Sequence, residues 1–117
     1  MKQYIYMSED TIHTPITDNV IFKVGYTKHP NIRRGQLRQA ASRSIGVKVY
    51  MTIDKYTALV DENLVRIAEA YVLTKVRERP SAIPLSPEFC IISIEDRQYC
   101  YDHLAEWVEQ VINGRAL

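Results

Sequence analysis

Long apolar runs, a disulfide framework and a large charge of one sign are all missing from this sequence. No stretch approaches the ~20 apolar residues that cross a bilayer. The opening Met1-Lys2-Gln3-Tyr4-Ile5-Tyr6 lacks the apolar core of a signal peptide. A soluble, intracellular, cytoplasmic protein that keeps away from membranes is therefore expected. There are only 2 cysteines, Cys90 and Cys100, without C-x-x-C spacing and with scattered histidines. That excludes a disulfide scaffold and gives no zinc-binding pattern. Buried or half-buried free thiols are the expectation. Lys and Arg number 15 against 14 Asp and Glu, a net charge of +1. Any hold on nucleic acid must then come from a local cluster of charge, since no global field supplies it. Internal repeats and low-complexity segments are also absent.

What is present is the balance of an ordinary globular chain. Of 117 residues, 46% are hydrophobic and 25% charged, which fits one domain spanning 1–117. Tyr, Ile and Tyr near the start predict a strand over Gln3–Met7. A polar segment containing Pro15 follows, then a second strand over Val20–Tyr26, close enough in sequence to pair antiparallel with the first. Pro30 sits where a first helical turn tolerates it, which predicts a helix over Asn31–Ser42. Alternation of Val47, Val49, Met51 and Ile53 predicts a third strand. Asp54 reads as an N-cap. A long helix is predicted over Lys55–Arg77, with Val60, Leu64, Ile67, Ala68, Tyr71, Val72 and Val76 at helical spacing. After a proline-rich loop come a strand over Glu88–Ile94 and a helix over Asp96–Ile112. Leu104, Trp107, Val108 and Val111 form the inner face of that helix, and Gly114 stops it. The order β-β-α-β-α-β-α predicts an α+β fold: a small three-stranded antiparallel sheet flanked by helices, with a C-terminal strand and helix.

Four features stand at suggestive intervals: Tyr4-Ile5-Tyr6, Lys23-Val24-Gly25-Tyr26-Thr27, Arg33 and Glu69. In this the sequence resembles the GIY-YIG endonuclease superfamily over about residues 3–92. Tyr4-Ile5-Tyr6 falls on its first motif and Lys23-Val24-Gly25 on its second. The family's helical arginine, eight residues after the motif glycine, falls on Arg33. The later helical glutamate falls on Glu69, within Arg66-Ile67-Ala68-Glu69-Ala70-Tyr71. A phage and bacterial branch often carries Lys-Ile-Gly as second motif and a Glu-Trp-Phe-like element near the end, to which Pro87-Glu88-Phe89 is similar.

The resemblance implies hydrolysis of DNA phosphodiester bonds, with Tyr6, Lys23, Arg33 and Glu69 as catalytic residues. It implies one divalent cation, Mg²⁺ or Mn²⁺, held by Glu69. Such ions favour oxygen ligands and retain waters. Arg33 would clamp phosphate oxygens with its guanidinium fork. Tyr6 would orient or deprotonate the attacking water, although a phenol with an unperturbed pKa of about 10 needs a nearby cation to do so. The basic residues Lys28, Arg34, Arg38 and Arg43, with Lys48, are the expected nucleic-acid footprint. A phage or mobile-element protein acting in the host cytoplasm is the setting that the resemblance suggests.

The sequence departs from the family at two positions. Lys23 replaces the second motif tyrosine, and Leu37 stands where many relatives have a histidine; His29 is the nearest substitute in sequence. Tyr26 is not expected on the same strand face as Lys23. Arg33 and Arg34 are about 100° apart on a helix, so only one can face a site, and the interval favours Arg33. Glu62, paired with Arg66 along the helix, and Glu88, at a strand start, are the other carboxylate candidates. Two readings follow: a metal-dependent endonuclease, or a catalytically weakened module of the same fold that binds nucleic acid or a host partner protein. DNA is the expected partner, with RNA and a homodimer left open.

Overall fold

The computed structural model describes residues 2–10, 18–29 and 51–114. The expected helix over 31–42, with Arg33, Arg34, Leu37, Arg38, and also Arg43 and Lys48, lies outside those residues. Among the described residues the chain folds as α+β. Strands β1 (Lys2–Asp10), β2 (Asn19–Thr27) and β3 (Met51–Asp61) precede helix α1 (Val65–Arg77). A two-residue strand β4 (Ile83–Pro84), strand β5 (Phe89–Ser93) and helix α2 (Ile94–Ile112) follow.

The sheet order is β3-β1-β2-β5-β4, and every neighbouring pair is antiparallel. The expected three-stranded sheet with a separate C-terminal strand is thus corrected. β5 pairs along β2, on the side that β1 leaves open, and extends the same sheet. The pairing supplies partners to backbone groups that an edge strand would leave unmatched.

The long helix expected over Lys55–Arg77 also needs correction. Residues 51–61 form β3, so Asp54 lies within a strand and not at a helix start. Pairing with β1 from Lys2↔Asp61 to Asp10↔Met51 decides this, and it overrides a modest helical spacing. The helix begins only after a turn: Asp61 accepts from the Asn63 amide at 3.0 Å and Leu64 N donates to Asp61 O at 2.8 Å. Glu62 therefore sits in an exposed turn, not on a helix face four residues before Arg66.

Alternation sorts the strand residues into two sets. Ile5 and Met7, Val20, Phe22 and Val24, and Cys90 and Ile92 join one buried cluster with Val65, Ala68, Val72 and Val76 of α1. Leu104, Trp107, Val108 and Val111 of α2 complete it. Both cysteines are buried free thiols, as expected. Burial raises Cys90 to about 11 and Cys100 to about 12. The alternate strand positions hold Tyr6, Ser8, Lys23 and Phe89, all buried but outside that cluster.

Three polar ties fix α2. Ser93 caps it, its hydroxyl accepting from the Asp96 amide at 3.1 Å, an N-cap bond. The Asp96 carboxylate accepts from Arg79 Nε at 3.1 Å, from Ser81 N at 3.0 Å and from the Ser81 hydroxyl. Hydrogen bonding from Ser81, and then Arg79, holds the Asp96 carboxyl below the usual range despite its partial burial. Further along, Arg97 donates through Nη1 to both carboxylate oxygens of Glu9, at 3.1 and 2.9 Å, tying α2 to β1. The helix ends at Ile112, with Asn113 as C-cap, and Gly114 follows with a left-handed φ of +72°, as expected of a helix stop.

Candidate active site

The site is set by the register of β1 against β2. Tyr6 lies opposite Gly25 and Ser8 opposite Lys23. Gly25 leaves the space that Tyr6 fills: a Cβ built on Gly25 would come within 2.9 Å of Tyr6 Cε2, with Cζ and the hydroxyl closer still. The phenol is seated on bare backbone, and the glycine is there because any side chain would displace it.

Tyr6, Lys23, Gly25, Glu69 and Glu88 together line one pocket of about 400 Å³. They reach it from β1, β2, α1 and the segment before β5. Tyr6 comes from β1, and Lys23 and Gly25 from β2. Glu69, half-buried, comes from α1, one residue past Ala68 in its buried stripe. Glu88 stands at the mouth, immediately before β5.

Lys23 is the buried cation of the pocket. Its register partner on β5 is Phe89, and its ammonium lies 5.3 Å from the centre of the Phe89 ring. Nζ donates to Glu88 Oε2 at 3.0 Å. The two side chains differ sharply in exposure, 4% for Lys23 and 63% for Glu88. The loop that presents Glu88 is held from behind. Arg77, in the last turn of α1, donates through Nη2 to the carbonyls of Ser86, at 3.1 Å, and Pro87. Leu85 and Ser86 amides both donate to Phe89 O, at 2.9 and 3.2 Å.

Of the four catalytic residues expected, Tyr6, Lys23 and Glu69 line the pocket, and Arg33 lies outside the described residues. Arg34, Arg38 and Arg43 lie outside them too. Lys28 is exposed just past β2. His29 is also exposed and donates its backbone amide to Thr27 Oγ1 at 3.1 Å; it does not line the pocket. Tyr26 packs against the core, on the other strand face from Lys23. Of the alternative carboxylates, Glu62 is outside the pocket lining and Glu88 is in it.

Sequence reasoning named Glu88 as a carboxylate candidate but missed its pairing with Lys23. The signal was the neighbouring Phe89, which fixes the register only once β5 is known to lie on β2. Arg77 as the anchor of the Glu88 loop had no sequence signal.

Glu69 and Glu88 are the carboxylates in the pocket lining that could hold a divalent cation. Such ions take carboxylate oxygens and keep several waters, and Glu69 and Glu88 offer carboxylates to an open pocket. No group of three or more His, Cys, Asp or Glu side chains poised for a metal occurs among the described residues, so water would complete most of the coordination. No described helix is long and apolar enough to cross a membrane. No protein-family model, curated protein or solved structure matches this chain.

Proposed function

We propose that this protein is a small metal-dependent endonuclease of the GIY-YIG kind, hydrolysing phosphodiester bonds of DNA, and that it derives from a phage or mobile element. The observation that carries the reading is the convergence of Tyr6, Lys23 and Glu69, residues 63 positions apart at the extremes, on a single pocket. Chance packing of polar side chains does not require a glycine to seat one of them, and Gly25 seats Tyr6.

The roles follow from the chemistry of each group. Glu69 presents oxygen ligands. A divalent cation held there would supply Lewis-acid stabilisation of charge on the phosphate oxygens. Tyr6 lines the pocket with its phenol over Gly25, and its assigned role is to orient the attacking water by hydrogen bonding. Lys23 supplies positive charge to a non-bridging oxygen, a place where a fixed cation in a poorly hydrated site is most effective. Arg33 is assigned by its interval from Gly25 to clamp the same phosphate, and Lys28, Arg34, Arg38 and Arg43 to carry the flanking backbone.

The experiment is cleavage of supercoiled plasmid with Mg²⁺, using Glu69→Ala and Arg33→Ala. Loss of nicking in both, with DNA binding retained in Glu69→Ala, supports the reading. Nicking untouched by either variant overturns the site assignment.

One observation favours a second reading, a module that binds nucleic acid or a host partner protein without efficient cleavage. The position of the family's second phenol is taken by Lys23, which is engaged in an ion pair with Glu88. DNA binding without cleavage under any divalent metal would select this reading.

A further inference from the structure

We infer that Glu88 is an exchangeable occupant of an oxyanion site on Lys23: its carboxylate holds the place that a phosphate oxygen takes when ligand binds. The inference rests on the reading of the pocket as a phosphate site and concerns how that site is kept closed.

A buried ammonium is costly unless an anion accepts from it, and Lys23 is almost fully enclosed while Nζ opens on the pocket. Among the described residues its ion-pair partner is Glu88, at 3.0 Å. The partner, however, is mostly in water. Its loop is anchored through backbone carbonyls by Arg77, so the carboxylate can rotate off Lys23 without moving the loop. Leaving the pair costs the exposed carboxylate little, because it regains its hydration, while the enclosed ammonium still calls for an anion. A phosphate oxygen at the same point would accept from Nζ as a charge-assisted bond of comparable length. The Phe89 ring, 5.3 Å from Nζ, holds the ammonium in place throughout. Glu88 therefore competes with ligand, and its removal exposes the site.

The test is a double-variant cycle in metal-free buffer containing chelator, so that cleavage plays no part. Inorganic phosphate and a short DNA duplex are titrated separately into the unsubstituted protein, Glu88→Gln, Lys23→Met and the double variant, with affinity read by NMR. Glu88→Gln is expected to tighten phosphate binding roughly fivefold, the scale of an exposed ion pair. That gain is expected to vanish on the Lys23→Met background. Because Lys23→Met could itself perturb folding, a second readout uses the unsubstituted protein: the Glu88 side-chain carboxyl resonance shifts as phosphate saturates.

Equal or weaker binding by Glu88→Gln, the same gain with or without Lys23, or a Glu88 resonance indifferent to phosphate overturns the exchange. The same coupling with the duplex identifies the oxyanion as a nucleic-acid backbone. Coupling with inorganic phosphate alone keeps the exchange and sets the nuclease reading aside. A nuclease that cleaves but shows no coupling defeats the exchange alone.

Discussion

The phenol of Tyr6 occupies the space that a side chain at Gly25 would need. The two residues face one another across β1 and β2, and Tyr6 is fully buried there. Replacing Gly25 by Ala must push the ring off its seat or part the strands, because the nearest atoms belong to a ring that buried neighbours hold. Gly25→Ala is expected to destabilise the fold by about 1–3 kcal/mol, the usual cost of overpacking, and to reduce plasmid nicking at least roughly tenfold, the cost of misplacing a catalytic group. Urea unfolding and the nicking rate check this. Unchanged nicking in a folded Gly25→Ala protein would show that the seat of Tyr6 does not matter to activity.

Asp96 joins α1's trailing segment to the start of α2, and its ionised form accepts from Ser81 and Arg79. Its carboxyl is depressed in the folded state. The stability it contributes is therefore complete above the unfolded carboxyl value of about 4 and is lost as pH falls through the lower folded value. Asp96→Asn is expected to cost about 1.5–3 kcal/mol at pH 7, the range of hydrogen bonds to a charged group. The gap between variant and unsubstituted protein should close as the pH drops below about 4. Urea midpoints measured across that window test it, and a gap constant with pH would assign the loss to packing.

Cys90 and Cys100 lie in the core, raised to about 11 and 12 by burial. Thiolate, the reactive form, is then scarce at pH 8, on the order of one molecule in a thousand or fewer. Alkylation is expected to be slow in native buffer and rapid in urea, with both thiols modified on unfolding. Mass spectrometry counts the adducts. Fast labelling of either thiol in native buffer would contradict its placement.

Much of the fold was legible in the sequence. The β-favouring Tyr4, Ile5 and Tyr6 marked one strand and the segment Val20–Tyr26 another, and the two do pair. The helical stripe Leu104, Trp107, Val108 and Val111 marked α2. The failure at Lys55–Asp61 has a physical cause: strand pairing with β1 is a long-range interaction that no local spacing reports. The turn cluster Asp61-Glu62-Asn63 was the local sign that the helix starts later. For the site, Tyr6, Lys23 and Glu69 were chosen by interval and do line one pocket. The Lys23–Glu88 pair was not legible, because residues 65 positions apart meet only after β5 has docked on β2.

The account's central claim is that the pocket of Tyr6, Lys23 and Glu69 performs metal-dependent phosphodiester hydrolysis. Nicking of supercoiled plasmid, followed with Mg²⁺ and with chelator for the unsubstituted protein and Glu69→Gln, tests it most directly. The prediction is nicking that requires Mg²⁺ and falls at least roughly a hundredfold in Glu69→Gln, the scale of losing one group that stabilises transition-state charge. Nicking that persists in chelator, or that Glu69→Gln leaves unchanged, would contradict it.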